Sequence, residues 1–354
     1  MKAFYLIIFI FVNTLSAEII SVDFEKHPEG NYTNAMAKTD FESLKGASSW
    51  YAMEQNNGEN AKIISDDKEH GQVLQLRYPA NCLGPNDSPI ACAGQIKQAL
   101  PFKSKEVWLS YDVLFEENFD FVKGGKLPGL CGGKCYTGGN RPTTGDGWSA
   151  RIMWRADGKL VQYLYFKDQA SEYGDDAKWD LNNQIEQKQI TPGVWHRFKT
   201  KITLNTVHTE GQGQKNGKIK SWFDDELVLD LDTLLLVDYD EQWIDVFYIS
   251  TFHGGSDASW SPSIDSYARF DNFVISTDSI PLNILKPKIK RQSPTPSIIL
   301  GNSSIPIESL KEDTYFEFYS LKGDKIQEKL YKKFSTQIQS PKNRGLYILK
   351  TKRK

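Results

Sequence analysis

Short apolar runs recur along most of the chain, and turn-forming residues separate them. The runs are rich in β-branched and aromatic side chains, whereas Gly, Asn, Asp and Pro lie between them, which is typical of antiparallel strands. No long stretch has the 3.6-residue apolar period of an amphipathic helix. A short helix is predicted only over residues 181–187. The predicted strands are residues 18–24, 72–78, 107–115, 149–155, 160–166, 195–204, 219–223, 245–252 and 268–275.

These strands fall within residues 18–279, which are enough to bury one large core. The economical architecture for many short strands is a pair of packed antiparallel sheets. We therefore predict an all-β fold, an antiparallel β-sandwich of the jelly-roll type, whose concave face binds the ligand.

The first 17 residues have the composition of a targeting segment. Lys2 precedes an apolar run over residues 3–12, and the small residues Ser16 and Ala17 close the segment. Ten apolar residues are too few to span a bilayer, which needs about 20. Residues 1–17 therefore predict a cleaved signal peptide and a secreted protein, extracellular or at the cell surface.

The C-terminal part differs in composition from the body. Residues 280–304 contain prolines at 281, 287, 294 and 296, which is typical of a linker. Residues 305–354 contain strand-like segments and predict a small basic β module. Gly323 and the stretch Gly345–Tyr347 resemble C-terminal sorting or attachment domains of secreted bacterial enzymes; the alternative is a basic appendage that adheres to substrate or cell wall.

Four cysteines lie in the part that would be exported, and each is close in sequence to one other. An even count in an oxidising compartment predicts disulfides, and proximity favours Cys82 with Cys92 and Cys131 with Cys135. Zinc is the competing interpretation. It is disfavoured because neither pair is a C-x₂-C motif and no histidine lies at finger-like spacing.

The candidate chemistry lies between Gly124 and Tyr165. Its polar residues are Lys126 in GGKLPGL, Ser149 and Arg151 in GWSARIMWR, and Tyr163 and Tyr165 in YLY. Residues i and i+2 of a strand share a face, so each of the last two pairs points one way. Cations beside phenols suit the removal of a proton next to a sugar carboxylate, because the cation neutralises the acid and a phenol moves the proton.

The loop between the two pairs decides whether they meet. With a two-residue loop at residues 157–158, the tyrosines would face away from Arg151. With a three-residue loop over residues 156–158, a type I turn closed by Gly158 in the left-handed conformation, Arg151 lies opposite Tyr163. We predict the second register. The alternative is an ordinary hairpin with tyrosines at good β-forming positions.

The motifs GGKLPGL, GDGWSARIMWRADG and Tyr-x-Tyr, in this order, resemble the core of polysaccharide lyase family 14, which includes alginate lyases and related glucuronan-cleaving enzymes. The likeness covers roughly residues 20–279 and includes WHRFKTKITLN, KNGKIKSWFDDE and FYISTFHGGSD. The chain departs from the family around Cys131 to Cys135, and at His253, where an aromatic residue is expected; both bear on substrate preference more than on reaction type.

The resemblance implies a polysaccharide lyase that cleaves a polyuronate, either alginate rich in mannuronate or glucuronan, by β-elimination. The family's catalytic residues fall on Lys126, Ser149, Arg151, Tyr163 and Tyr165. We expect Lys126 and Arg151 to neutralise the carboxylate, the tyrosines to act as base and acid, and Ser149 to orient a tyrosine or a carboxylate. A free phenol has a pKa of about 10, so the cations are expected to lower it.

Four further residues are candidates for substrate binding. Lys134, Tyr136 and Arg141 lie in the segment between Lys126 and Ser149, and His253 lies in the turn TFHGGSD. For His253 the competing interpretation is a histidine that packs a turn.

Charge is distributed unevenly. Residues 285–354 carry 16 Lys and Arg against 6 Asp and Glu, whereas residues 18–284 carry 26 against 39. An acidic body would repel an acidic polymer at long range, so the groove must be locally basic. We expect a monomer with no cofactor, no metal and no nucleic-acid partner, and contacts to secretion machinery or the cell surface through the C-terminal module. The rival function is a non-catalytic lectin-like carbohydrate-binding module on the same fold.

Overall fold

The computed structural model describes residues 18–42, 50–66, 70–84 and 92–280, together with six strands between residues 297 and 353. The predicted signal peptide lies outside the described residues, as does most of the predicted linker. The chain forms two compact units, residues 1–288 and 289–354. Among the helices of the described residues, none has the length and apolar character needed to cross a bilayer.

Strands dominate the first unit, as the alternation of apolar and polar residues predicts. It has the helix α1 (Asn34–Asp40) and short 3₁₀ turns at Gln55–Gly58, Ala156–Gly158 and Ala258–Trp260. Its strands are β1 (Ile19–Val22), β2 (Gly30–Asn31), β3 (Trp50–Ala52), β4 (Ala61–Asp66), β5 (Gly71–Tyr78), β6 (Gly94–Ser104), β7 (Glu106–Phe115), β8 (Gly124–Gly133), β9 (Gly147–Arg155), β10 (Leu160–Tyr165), β11 (Asp175–Lys178), β12 (Trp195–Thr203), β13 (Val207–Thr209), β14 (Gln212–Gly213), β15 (Gly217–Phe223), β16 (Glu226–Leu234), β17 (Ile244–His253) and β18 (Ser266–Ser276).

Two antiparallel sheets form the sandwich. The nine-stranded sheet has the order β16-β15-β12-β7-β18-β5-β4-β2, with β1 paired to β18. The seven-stranded sheet has the order β11-β10-β9-β8-β17-β6-β3. The predicted all-β sandwich is confirmed, and each of the nine predicted strands is present.

The core lies between the two sheets and is lined by alternate residues of each strand. On β9, Trp148 and Trp154 are fully buried, and the Trp154 ring packs edge-on against Phe115 of the nine-stranded sheet at 5.5 Å. Polar groups also cross the core, because Ser221 Oγ of β15 donates to Gln162 Oε1 of β10 at 3.0 Å. Because side chains alternate along a strand, the tryptophans of β9 face the core and Arg151 points to the opposite, outer face of the sheet.

Strand β8 was not predicted, because its sequence reads as a glycine-rich loop. It lies between β9 and β17 in the seven-stranded sheet. A Cβ at Gly125 would lie 2.1 Å from the Trp154 ring, and one at Gly129 would lie 2.2 Å from the Ala150 carbonyl oxygen. Glycine is thus required by close approach to β9. Pro128 is tolerated at this central position because the pairing with β9 shifts register there.

The predicted helix over residues 181–187 is wrong. Leu181, Asn182 and Asn183 have φ values of 47°, 58° and 65°, which is left-handed backbone, and the segment forms turns. The helix α1 was not predicted. Thr33 caps it, since the Thr33 Oγ1 accepts the backbone N–H of Met36 at 3.1 Å.

Both predicted disulfides are confirmed. Cys82 pairs with Cys92 at a Cα separation of 5.7 Å, and Cys131 pairs with Cys135 at 5.2 Å. The zinc interpretation is therefore excluded for these four cysteines.

The second unit is also built from strands. The strands β19 (Ser297–Leu300), β24 (Leu346–Arg353), β21 (Thr314–Ser320) and β22 (Lys325–Tyr331) form an antiparallel sheet in that order, and β20 (Ser304–Pro306) pairs with β23 (Gln337–Gln339). The two predicted strand-like segments fall on these strands. The exact domain boundaries and the sorting role stay predictions.

The contacts of β8 give a test of stability. Gly129→Ala should lower the free energy of unfolding by about 3 kcal/mol or more, because the new methyl group meets the backbone of β9 on a paired strand. The control is Gly211→Ala, at a turn glycine with φ 81° and open space around it, which should cost about 1 kcal/mol. Urea unfolding of both variants measures the difference, and equal losses would contradict the packing argument.

Candidate active site

The hairpin of β9 and β10 has the predicted register. Arg151 lies opposite Tyr163, and Ser149 lies opposite Tyr165. Gly158 has a positive φ of 76°, as expected for a loop of residues 156–158. The predicted type I turn is wrong, however, because Asp157 is also left-handed at φ 62° and ψ 16°. Two successive left-handed residues are those of a type I′ turn, for which Asp-Gly is a preferred sequence.

A groove of about 450 Å³ runs over the outer face of the seven-stranded sheet. Strands β8, β9, β10 and β17 form its floor, and the loops after β8, β10 and β17 form its walls. The residues that carry its chemistry are Lys126, Arg151, Arg155, Tyr163, Tyr165 and Trp260. Four of the five predicted catalytic residues therefore line one groove.

Three cations surround the ring of Tyr163. Lys126 Nζ lies 5.6 Å from the ring centroid, Arg151 Cζ lies 5.8 Å away, and Arg155 Cζ lies 5.6 Å away. The groove is thus locally basic although the domain as a whole is acidic, which is what recognition of an acidic ligand requires.

Arg151 is a buried charge, with only 2% of its surface exposed. Its Nη1 donates to Ser250 Oγ at 3.5 Å, and its Nε has no hydrogen-bond partner. Within the part of the chain that the structure describes, no carboxylate pairs with Arg151. A buried, unpaired cation is costly, and burial accordingly lowers the Arg151 pKa. An anion bound in the groove would remove this cost.

Lys126 is half-buried and forms no salt bridge among the described residues. Its Nζ donates to the Gly254 carbonyl oxygen at 3.2 Å. Burial lowers the Lys126 pKa to about 7, and the charges of Arg151 and Arg155 act in the same direction. Lys126 can therefore exchange a proton near neutral pH.

The two phenols form a pair at the side of the groove. Tyr163 Oη and Tyr165 Oη lie 3.4 Å apart. The backbone N–H of Gly174 donates to Tyr163 Oη, and that of Gly139 donates to Tyr165 Oη, both at 3.1 Å. Burial raises the Tyr163 pKa, and the hydrogen bond with Tyr165 adds to the effect. The expectation that the cations depress this phenol's pKa is therefore wrong, because burial outweighs the attraction of Arg151.

The loops that carry these two glycines are held by Gln169, which is fully buried. Its Oε1 accepts the Phe166 N–H at 3.2 Å, and its Nε2 donates to the carbonyl oxygens of Ser171 and Tyr173 at 2.9 and 2.8 Å. The Arg141 guanidinium donates to the Gln169 carbonyl oxygen. Arg141 thus joins the two loops that supply N–H groups to the tyrosines.

Ser149 is buried beside the groove and does not line it. Its Oγ donates to the Tyr136 carbonyl oxygen at 2.6 Å, so it holds the loop after β8 rather than a tyrosine hydroxyl. Lys134 pairs with Asp146 at 2.7 Å, and the Tyr136 hydroxyl donates to the same carboxylate at 2.8 Å. Lys134, Tyr136 and Arg141 are not among the described residues that line the groove.

His253 points into the core, where it packs a turn. It is 1% exposed, stacks on Phe119 at 5.4 Å and donates from Nε2 to the Asp120 carbonyl oxygen at 2.6 Å. Burial lowers the His253 pKa to about 4, so the ring is neutral at ordinary pH. Its neighbour Phe252 lines the groove instead.

Among the groove residues that the sequence did not predict, Arg155 and Trp260 bear most directly on ligand binding. The sequence does contain a signal for Arg155, because residues four apart on a strand lie on the same face and Arg155 follows Arg151 by four residues. Trp260 gave no signal, because it reaches the groove from a segment about a hundred residues further along the chain. Among the described residues, no cluster of three His, Cys, Asp or Glu side chains is placed to hold a metal ion.

The disulfides flank the site. Cys131 lies on β8, opposite Ser149, so its bridge to Cys135 constrains the turn that leaves this strand. Cys82 and Cys92 pack against Phe252 at the other side, and the nearby Gly84 lines the groove.

The site is thus a basic groove with a tyrosine pair on the outer face of a β-sandwich. The family model of polysaccharide lyase 14 matches residues 66–273, so the chain belongs to this family and is a polysaccharide lyase. No curated protein sequence matches the chain.

Solved structures of similar fold agree with the family. The alginate lyase Aly36B is 25% identical, with a TM-score of 0.57, over 73% of this chain and 96% of that one. A PL-14 alginate lyase from Aplysia kurodai is 22% identical, with a TM-score of 0.55, over 73% and 98%. The alginate lyase vAL-1 from Chlorella virus is 20% identical, with a TM-score of 0.54, over 65% and 91%. The last two likenesses concern the fold.

Proposed function

We propose that this lyase cleaves a polyuronate, with alginate as the first candidate, by β-elimination in the groove around Tyr163. The observation that carries the proposal is the buried guanidinium of Arg151, which faces the groove without a carboxylate partner among the described residues. A uronate supplies the missing negative charge. The likeness to the alginate lyase Aly36B supports alginate within this class.

The chemistry requires three groups. A base removes the proton on C5, the electron pair of that bond forms the C4–C5 double bond, and the C4–O4 bond breaks as O4 takes a proton. The C5 proton is a poor acid while the adjacent carboxylate is charged. A cation on the carboxylate therefore stabilises the enolate-like transition state.

Arg151 is the group that binds this carboxylate. Its planar fork of donors matches a carboxylate, and its burial excludes water from the pair. The rings of Tyr163 and Tyr248 lie 5.8 and 5.4 Å from Cζ and hold the guanidinium in place.

Lys126 is the proton acceptor. The sequence alone suggested charge neutralisation for this residue, but a lysine whose pKa is about 7 is largely neutral in slightly alkaline solution and can take a proton. Its position beside Tyr163 and its bond to the Gly254 carbonyl oxygen place the amine on the groove floor.

Tyr163 is the proton donor to the leaving O4. Each phenol oxygen already accepts a backbone N–H, so its own proton is available for donation. Either hydroxyl can donate in the contact between the two, and in the productive arrangement Tyr165 donates to Tyr163 Oη, which leaves the Tyr163 proton for the groove. The raised pKa keeps Tyr163 protonated, as an acid must be. Tyr165 orients Tyr163 in this scheme.

The proposal is tested by incubating the protein with alginate, polymannuronate, polyguluronate and glucuronan. Absorbance of the unsaturated product reports cleavage, and binding is measured in parallel. A folded protein that binds one of these polymers but releases no unsaturated product from any of them would favour the lectin-like alternative.

Tyr163→Phe should reduce turnover by about 100-fold or more, since it removes the proton donor while the ring still packs. Binding of the polymer should change little. Tyr165→Phe should reduce turnover less, because Tyr165 acts through Tyr163. Initial rates and calorimetric binding distinguish the two effects, and a Tyr163→Phe variant with near-normal rates would contradict the assignment.

Lys126→Arg separates the two roles considered for this residue. If Lys126 only neutralised the carboxylate, arginine would keep the charge and much of the activity. As a base it must lose a proton, which arginine does not do, so we expect activity to be lost while binding is retained. In the unmodified protein, kcat/KM should rise with pH through about 7, because Lys126 becomes neutral above its pKa. A rate that falls as pH rises through this range would contradict the assignment.

We further propose that residues 1–17 direct export and that the basic C-terminal unit serves sorting or surface attachment. The two disulfides of the first unit support an oxidising compartment. The protein recovered from the culture medium should begin at Glu18, which N-terminal sequencing checks; recovery from the cytoplasm with the segment intact would contradict export.

A further inference from the structure

We propose that Arg155, oriented by Asp176, forms with Trp260 a second subsite at one end of the groove, which binds the carboxylate and ring of a uronate next to the sugar that reacts. The inference rests on the proposed polyuronate lyase function and extends it to neighbouring sugars. It implies that the protein prefers chains long enough to occupy both subsites.

The strand geometry separates the two arginines along the groove. Arg151 and Arg155 lie on the same face of β9, four residues apart, so their Cα atoms are about 13 Å apart. The Arg155 guanidinium lies between two aromatic rings, 5.6 Å from the centroid of Tyr163 and 5.9 Å from that of Trp260. Both Arg155 and Trp260 line the groove. A polymer with one carboxylate on each sugar can therefore meet two cations along its length.

Asp176 orients the Arg155 side chain and leaves most of its donors for a ligand. Arg155 Nε donates to Asp176 Oδ2 at 2.8 Å, and Nη2 donates to Oδ1 at 2.5 Å. These two bonds fix the plane of the guanidinium. Three of its five N–H groups remain for a ligand, and a fixed fork loses little entropy when it binds.

Trp260 supplies an aromatic surface beside this cation. A Cβ at Gly255 would lie 2.1 Å from the Trp260 ring, so only glycine lets the ring lie against the backbone there. Lys123, which is exposed, lies 6.0 Å from the ring centroid. Subsites for charged sugars combine an apolar ring face with a few placed polar groups, and this end of the groove has both.

The alternative is that Arg155 and Asp176 form an ordinary surface ion pair. Such exposed pairs contribute little to stability, and they need neither a groove nor an aromatic ring beside them. Arg269 of β18, in the nine-stranded sheet, provides a matched control, because it forms a similar ion pair with Glu116. The side chains of Arg155 and Arg269 are 27% and 28% exposed. Arg269 does not line the groove. Its removal therefore measures the loss of a similar ion pair without the subsite.

The experiment compares Arg155→Ala with Arg269→Ala on polymeric alginate and on purified uronate oligomers of decreasing length. Measurements are made well above pH 7, so that Lys126 stays neutral in each variant. For Arg155→Ala, kcat/KM on the polymer should fall about tenfold or more, mainly through KM. The loss should shrink as the oligomer shortens, and Arg269→Ala should match the unmodified protein at every length. Asp176→Asn should give a smaller loss with the same length dependence, because the guanidinium stays but is less well oriented.

Two results would overturn the subsite. One is an Arg155→Ala variant whose KM is unchanged at every length, and the other is a loss equally large on the shortest cleaved oligomer, which would place Arg155 at the reacting sugar. If Arg155→Ala does not fold, Arg155→Gln serves in its place. Failure of the unmodified protein to release unsaturated product would instead reject the lyase proposal, and the subsite would then be tested by calorimetry of oligomer binding to Arg155→Ala and Arg269→Ala.

Discussion

The pairing of β9 with β10 is the constraint on which the site depends. It sets Arg151 opposite Tyr163 and thus brings a buried guanidinium against a phenol. A slip of one residue would turn the tyrosines to the other face of the sheet and leave the cation without its aromatic neighbours. The turn at residues 156–158 holds this register, because Asp157 and Gly158 adopt the left-handed backbone that Asp-Gly favours and Ala156 adds the extra residue that keeps Arg151 opposite Tyr163. A local conformational preference therefore determines the position of the reactive groups.

The remaining parts of the site are brought to this hairpin by close backbone approach. The glycines of β8 let that strand lie against β9 and present Lys126 on the groove face. A side chain at Gly125 or Gly129 would collide with residues of β9. On the other side, Gln169 and Arg141 hold two loops so that their N–H groups reach the tyrosine hydroxyls. Backbone donors fixed in this way need no rearrangement during the reaction.

Burial, rather than charge alone, decides how the groups titrate. It disfavours the charged form of either sign, and so lowers the Lys126 pKa and raises that of Tyr163. The neighbouring cations add to the effect on lysine and only partly oppose it on tyrosine. Near neutral pH, Lys126 can therefore be neutral and Tyr163 stays protonated, whereas a row of cations beside phenols suggests a lowered tyrosine pKa.

The sequence by itself determined the sandwich, the disulfides, the hairpin register and four of the residues that line the groove, because each follows from short-range patterns: alternation along a strand, spacing of cysteines, and turn chemistry. It did not give β8, since glycine and proline are unfavourable in strands unless a neighbouring backbone requires them. It did not give the role of Ser149, which depends on the partner that its side chain meets, and it did not indicate Trp260, which comes from a distant segment. For His253 it offered the correct interpretation, a histidine that packs a turn, but could not choose it over substrate binding. Those features, and the pKa values of Lys126 and Tyr163, were decided by tertiary structure, because burial and contacts between remote segments exist only once the two sheets have packed.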